Sequence, residues 1–147
     1  MKKLMKKRTG FTLVELLIVI IIIGILAGAM LLVAGSGTDK ANATKIVSDM
    51  RSIKAAALMK WADAGNWDWV TSADTPANLQ LQLASYMDRK IDDATVADYA
   101  INTDTSPDIY VEATDIDANV LAKLIPMKGD SGLTISGDDE PVLMKLK

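Results

Sequence analysis

The sequence predicts an α+β protein in which a long N-terminal helix packs on a small, mostly antiparallel β-sheet head. Three observations predict this fold class. An uncharged apolar run covers residues 16–34, an amphipathic helical pattern follows it, and short segments of alternating apolar and polar residues occur in the C-terminal half. Helices repeat about every 3.6 residues, whereas half-buried strands repeat every two. With 147 residues, the chain can build one modest core.

The first element is the apolar run, which has 19 residues without a charge or a strongly polar group. As a helix it would span roughly 28 Å, close to the ~30 Å hydrocarbon core of a bilayer. The first charge after it is Asp39, and five basic residues precede it: Lys2, Lys3, Lys6, Lys7 and Arg8. The positive-inside rule therefore predicts a cytoplasmic N-terminus and an exported chain from about Gly35 onward.

The second element is an amphipathic helix from about Asp39 to Ala62, which we expect to continue the apolar helix. Charged residues at 45, 49, 51 and 60 occupy its other faces, and Gly65-Asn66 ends it. A small sheet from the C-terminal half is the expected cover for its apolar stripe. The stripe consists of eight residues at helical spacing: Ala43, Ile46, Val47, Met50, Ile53, Ala57, Leu58 and Trp61.

Local start and stop signals place the remaining elements. Thr75-Pro76 is an N-cap followed by Pro at the first helical position, which predicts a short helix to about Asp88. Asp117 is expected to cap a helical turn through Leu124 that ends before Pro126. Residues 137–141 have the composition of a hairpin turn. Period-2 alternation predicts four strands: Tyr99–Thr103, Ile109–Thr114, Leu133–Ser136 and Val142–Leu146.

The composition excludes several classes of chemistry. The chain has no Cys and no His, which excludes disulfides, Cys/His zinc sites and His-dependent catalytic triads. It also lacks a nucleotide-binding loop, a nucleophile elbow and a zincin motif, so we expect no enzymatic activity. Five of the 16 basic residues precede residue 9, so 11 basic and 19 acidic groups remain, a net charge of −8. This charge opposes nucleic-acid binding, and no nucleic-acid partner is expected.

Three interpretations of the apolar run compete on the residues alone. A secretory signal cleaved after Ala29 is supported by the small residues at Ala27 and Ala29, although the run continues past them and exceeds the usual h-region of roughly 7–15 residues. A plain single-pass anchor is the second interpretation. The third is a specialised helix, because Glu15 immediately precedes the run, where a carboxylate either stays solvated at headgroup level or meets a cationic partner.

The residues around Glu15 resemble the leader and N-terminus of type IV prepilins. Basic residues up to Arg8 are followed by Thr9-Gly10, then by Phe11-Thr12-Leu13-Val14-Glu15 and the aliphatic run. The resemblance covers about residues 2–37. It implies that a membrane peptidase cuts between Gly10 and Phe11 and methylates the new amine of Phe11. It also implies that Glu15 pairs with the N-terminal ammonium of a neighbouring subunit.

The resemblance also implies an organisation and a function. Residues 1–10 would form the leader, residues 11–37 the transmembrane and filament-core helix, and residues 38–147 the exported head. The chain would be a structural subunit of a type IV pilus-like filament, made as a single-pass inner-membrane precursor of a bacterium and then found in an extracellular or periplasmic filament. Its partners would be copies of itself, prepilin peptidase, the inner-membrane assembly machinery and membrane lipid.

Two alternatives to the pilus stay open. The closer one is a pseudopilin of a type II secretion system, which would carry the same N-terminal helix. The other is a secreted or membrane-anchored binding protein. Many pilins carry a Pro late in the apolar segment, whereas Leu31-Leu32-Val33 occupy that region here.

Two further clusters were considered as binding sites. Some major pseudopilins bind calcium in a C-terminal loop, and Asp130, Asp138, Asp139 and Glu140 supply hard oxygen ligands of that kind, but acidic turns are usually solvated. We therefore expect no cofactor. Trp61, Trp67 and Trp69 are expected to pack in the core and loops with their N–H groups reaching water, with stacking on a ligand as the alternative.

Overall fold

The computed structural model describes residues 10–91, 96–103, 108–135 and 141–146. These residues form four α-helices, two 3₁₀ helices and four strands, and the predicted α+β class is confirmed. The helices are α1 (Leu13–Ala64), α2 (Pro76–Leu83), α3 (Ala118–Leu124) and α4 (Lys128–Ser131), with 3₁₀ turns at Asp68–Ser72 and Ile125–Met127. The strands are β1 (Asp98–Asn102), β2 (Tyr110–Thr114), β3 (Leu133–Thr134) and β4 (Val142–Lys145).

Helix α1 has 52 residues and belongs to two compact units, the first ending at Gly37 and the second beginning at Thr38. In the first unit, the helix is long and apolar enough to cross a membrane, and its most apolar 18-residue window has a mean hydropathy of 3.3. None of that window is buried within the chain. The large apolar side chains that the structure describes between Leu13 and Val33 are all exposed.

The end of α1 matches the sequence prediction. The helix stops at Ala64, and the next residue, Gly65, adopts a φ of +73°. Its N–H donates a 2.8 Å hydrogen bond to the carbonyl of Trp61, which satisfies one of the free carbonyls of the last turn. Glycine adopts this left-handed conformation without the steric penalty of a Cβ, so the helix ends there.

The sheet has the strand order β1-β2-β4-β3, and all three pairings are antiparallel. One row of residues crosses all four strands, because Ile101 lies opposite Val111, Val111 opposite Met144, and Met144 opposite Leu133. All four side chains are buried. The predicted alternation is therefore confirmed; β1 begins one residue before its predicted start, and the other strand limits coincide with the predicted ones or lie one or two residues inside them.

The core of the second unit joins this sheet to α1, α2 and α3. Its members on α1 are Ala43, Ile46, Val47, Met50, Ile53, Ala56 and Ala57, and they share one buried cluster with residues of the strands. The predicted stripe is right as far as Ala57 and wrong beyond it, since Leu58 and Trp61 are exposed. The buried side chains of α1 stop at Ala57 because Lys60, not Trp61, is the next residue on the covered face, where it contacts Trp69.

The helical turn predicted after Asp117 and through Leu124 is confirmed as α3, and a 3₁₀ turn from Ile125 to Met127 follows it. Two further expectations are corrected. Helix α2 ends at Leu83 instead of near Asp88, because the chain turns at 84–86. Asp49, placed on a polar face, is buried at 6% exposure because Arg89 and Tyr99 bind its carboxylate. The expected turn residues 137–140 and the predicted strand end Ser136 lie outside the described residues.

Candidate functional site

The first turn of α1 contains a closed set of hydrogen bonds between Thr12 and Glu15. The carboxylate of Glu15 accepts from the backbone N–H and from the hydroxyl of Thr12, each at 2.8 Å. The Thr12 hydroxyl in turn accepts from the backbone N–H of Glu15 at 3.2 Å. Because helix α1 begins at Leu13, Thr12 is its N-cap and Glu15 its third residue, which is the arrangement of a capping box.

This capping box satisfies two of the four N–H groups that a helix leaves free at its start. The capping box also engages the carboxylate of Glu15, because each hydrogen bond that the structure describes for this carboxylate comes from Thr12. The role of Glu15 was predicted from the sequence, whereas the capping role of Thr12 was not. The signal was present, since Thr-Leu-Val-Glu at 12–15 matches the Thr-x-x-Glu pattern of a capping box.

Gly10 and Phe11 precede the helix and are exposed, Phe11 at 87%. The peptide bond between them therefore lies outside the hydrogen-bonded ladder of α1, where an enzyme can reach it. Residues 1–9, which include the basic cluster, lie outside the described residues. The structure thus presents an accessible peptide bond, a capped helix start and an exposed apolar helix in direct succession.

The family profile of the prokaryotic N-terminal methylation motif matches residues 5–31, which include all of these features. The chain carries the signature of type IV pilins and pseudopilins. The matched segment spans 27 of the 147 residues. The match therefore assigns a family signature to the N-terminal part of the chain and none to the head. No significant match was found among curated proteins, and none among solved structures.

The pilin-type motif indicates a structural protein, made as a precursor of the pilin or pseudopilin kind. Such a precursor is processed by prepilin peptidase, and the exposed apolar helix fits a membrane-anchored form. These coarse properties follow from the N-terminal segment. The remaining candidate sites lie in the head.

The calcium candidates do not come together in the described part of the chain. Asp130 lies exposed on α4, whereas Asp138, Asp139 and Glu140 lie outside the described residues. Within residues 10–91, 96–103, 108–135 and 141–146, no group of three or more acidic side chains could hold a metal ion. The described geometry therefore adds no support to the calcium hypothesis.

The three tryptophans form a row at the C-terminal end of α1, with Trp61 in its last turn and Trp67 and Trp69 after it. The ring centroids of Trp61 and Trp67 are 6.0 Å apart with near-parallel planes, and those of Trp67 and Trp69 are also 6.0 Å apart. The ammonium of Lys60 lies 4.6 Å from the ring centroid of Trp69 and donates to the carbonyl of Gln82 at 2.8 Å and to its side-chain oxygen. The predicted clustering is confirmed.

One detail of the tryptophan prediction is wrong. The indole nitrogen of Trp69 is buried instead of reaching water, and it has no acceptor among the described residues. The exposed member of the row is Trp61, at 43% exposure. The row therefore has a packed end at Trp69 and an open end at Trp61.

Two carboxylates of the head, those of Asp63 and Asp108, raise the pKa of the groups that they contact. The ammonium of Lys145 lies 2.9 Å from Asp108 and lowers the pKa of that carboxyl, and Tyr110 donates a further hydrogen bond to it. In return, Asp108 raises the pKa of Lys145. A hydrogen bond to Asp63 raises the pKa of the Tyr86 hydroxyl, because the bond holds the phenol proton. These contacts fasten chain segments together and do not form a reaction centre.

Proposed function

We propose that the chain is the precursor of a structural subunit of a type IV pilus-like filament, cleaved between Gly10 and Phe11 and assembled through α1. One observation supports this above all others. The methylation motif covers the start of α1, where the large apolar side chains that the structure describes between Leu13 and Val33 are all exposed. A surface of this extent is stable only against lipid or against other helices.

The first step is hydrolysis of the Gly10–Phe11 peptide bond by prepilin peptidase. This cleavage leaves a carboxylate on Gly10 and an amine on Phe11. The enzyme then transfers a methyl group from an activated methyl donor to that amine, so that the donor–methyl bond breaks, an N–methyl bond forms and the amine releases a proton. It removes the basic residues of the leader but keeps the apolar helix. The methylated amine stays basic, so the mature N-terminus carries a positive charge.

The second step is assembly. Glu15 lies four residues after Phe11, about one helical turn, so its carboxylate can pair with the N-terminal ammonium of a neighbouring subunit. In the free chain, the carboxylate of Glu15 accepts two hydrogen bonds from Thr12. These bonds stabilise the charged carboxylate at the helix start before a neighbouring subunit supplies its ammonium group. Burial of α1 surface against copies of itself would drive polymerisation, and the ion pair would fix the axial register.

The proposed partners and location follow from these steps. Before assembly, the subunit spans the inner membrane of a bacterium with its N-terminus in the cytoplasm and its head exported. Prepilin peptidase and the inner-membrane assembly machinery act on it there. After assembly it forms an extracellular or periplasmic filament, and neither a cofactor nor a nucleic-acid partner is part of the proposal.

The test is the mass and sequence of the mature N-terminus. The expected first residue is N-methylated Phe11. A matched control is Gly10→Leu, whose side chain should block the peptidase cleft and leave the precursor uncut. A mature chain that begins at Met30 would contradict the proposal and support a secreted protein cleaved after Ala29.

A pseudopilin of a type II secretion system would share each of these N-terminal features, so a second measurement separates the two. Deletion of the protein should remove surface filaments if it builds a pilus. If it builds a secretion filament, the deletion should instead cause exported proteins to accumulate in the periplasm.

A further inference from the structure

The open end of the tryptophan row is part of an exposed apolar patch. Five large apolar side chains in the described part of residues 38–147 are exposed, and two of them, Leu58 and Trp61, lie three residues apart on α1 and therefore on one face of it. We call these two residues, together with Trp67, the aromatic patch. Exposed patches of this kind mark interaction surfaces on soluble domains.

The aromatic patch has a carboxylate beside it. Asp68 lies between Trp67 and Trp69 in the sequence and is exposed, and no ion pair to it occurs among the described residues. Indole faces carry a negative electrostatic potential, and this carboxylate adds to it. The patch is therefore suited to a partner with positive charge.

A groove of complementary character lies at the other end of the head part of α1. It has a volume of about 450 Å³ and is lined by Lys40, Lys123, Pro126, Met127, Asp130 and Ser131. Pro126 and Met127 supply its apolar lining, and the ammonium groups of two lysines outnumber the single carboxylate of Asp130. Neither lysine forms an ion pair within the described part of the chain.

We propose that this groove binds the aromatic patch of a second copy of the chain. The indole of Trp61 would pack on Pro126 and Met127, with the ammonium groups of Lys40 and Lys123 against its face. Asp68 of the same copy would pair with one of these lysines. A tryptophan in a pocket of apolar side chains with charged groups at the rim is the usual composition of an interface hot spot.

The positions of the two surfaces determine how copies can associate. Lys40 and Trp61 lie 21 residues apart on the same helix, about 32 Å at 1.5 Å per residue, so a chain cannot fill its own groove. The contact joins two different surfaces and is therefore heterologous, which generates open chains of copies. The inference rests on the proposed filament function and adds to it an axial step of about 30 Å between contacting heads.

The first experiment uses the absence of cysteine from the chain. Ser131 lines the groove, and Ala62 is exposed beside Trp61 on α1. The double variant Ser131→Cys with Ala62→Cys keeps Trp61 and both lysines; assembled into filaments and treated with a short bis-maleimide, it should give a ladder of covalent dimers, trimers and larger species. The control pairs Ser131→Cys with Thr114→Cys, which lies at the exposed end of β2 outside the aromatic patch, and should give no ladder.

A second experiment does not depend on cysteine substitutions. Lys123→Glu and Asp68→Lys should each reduce filament yield several-fold, because each places like charges across the contact. The double variant restores opposite charges and should recover most of the yield. The three variants should keep the thermal stability of the parent head, since both residues lie outside its buried cluster.

The outcomes separate the interface from the proposed function. Filaments that contain N-methylated Phe11 but give no ladder, or whose yield the double charge variant does not recover, would overturn the interface and leave the filament subunit in place. If the parent chain lacks the methylated Phe11 N-terminus, the proposed function fails, and the interface fails with it.

Discussion

The hydroxyl of Tyr99 on β1 donates a 3.2 Å hydrogen bond to the carboxylate of Asp49 on α1, 50 residues earlier in the chain. The guanidinium of Arg89, in the segment between α2 and β1, binds the other oxygen of the same carboxylate. One buried side chain therefore fastens three segments of the head together. Its burial is tolerated because both oxygens have partners.

Removal of this carboxylate should destabilise the head. We expect Asp49→Ala to lower the free energy of unfolding by about 1–3 kcal/mol, the range for removing one member of a buried hydrogen-bonded pair. Arg89 is half-exposed and can return to water, which limits the loss. Denaturant unfolding of the head measures it. Asp88→Ala, at an exposed position, is the control, and an equal loss in both variants would contradict the role of Asp49.

Substitutions of Glu15 should separate helix capping from charge pairing. We expect Glu15→Ala to permit cleavage after Gly10 but to deplete assembled filaments. Glu15→Gln is the informative comparison, because Gln can keep the capping bonds to Thr12 but cannot pair with an ammonium. Electron microscopy of sheared filaments and mass analysis of the mature N-terminus measure the two effects. Normal filament yield from either variant would remove the pairing role of Glu15.

Substitution of glycine by alanine should change the stability of the head in opposite directions at Gly65 and Gly129. Gly65→Ala places a Cβ on a residue with a φ of +73° and should destabilise the head by about 1–2 kcal/mol. Gly129 lies inside α4 without a positive φ, and no heavy atom would contact its Cβ. Gly129→Ala should therefore stabilise by about 0.5–1 kcal/mol. Thermal unfolding of both variants provides the comparison, and effects of equal sign would contradict the conformational explanation.

The pair of Asp108 and Lys145 predicts a pH dependence of stability. The lowered pKa of Asp108 means that its contribution is present above the usual carboxyl pKa and is lost as the pH falls through the lowered value. The raised pKa of Lys145 means that its contribution is lost only as the pH rises through the raised value. The pair should therefore stabilise the head across the neutral range.

The variant Asp108→Asn tests the pH range over which this pair stabilises the head. The variant should unfold at a slightly lower temperature than the parent at neutral pH, and the difference should disappear at acid pH, where the parent carboxyl is protonated. The effect is small because both side chains are partly exposed. Asp115→Asn, without an ion pair among the described residues, should show no pH-dependent difference.

Much of the fold could be predicted because its signals are local. The side chains of Thr75 and Asp117 accept from the N–H groups of Asn78 and Asn119, as their positions before helical segments predicted. The alternation around Val111 placed its strand correctly. In each case the residues that decide the conformation lie within a few positions of one another, so their pattern is visible in the sequence.

The sequence alone determined the apolar helix, the methylation motif at its start, the end of α1 at Gly65 and the alternating strands, since each depends on hydrogen bonds and periodicity within one segment. Only the tertiary structure decided the strand order, the burial of Asp49 beside Arg89 and Tyr99, and the exposure of Trp61. These features depend on groups 40 or 50 residues apart, as between Asp49 and its two partners. Whether a polar side chain is buried is decided by the partners that the folded chain brings to it, which a local pattern does not contain.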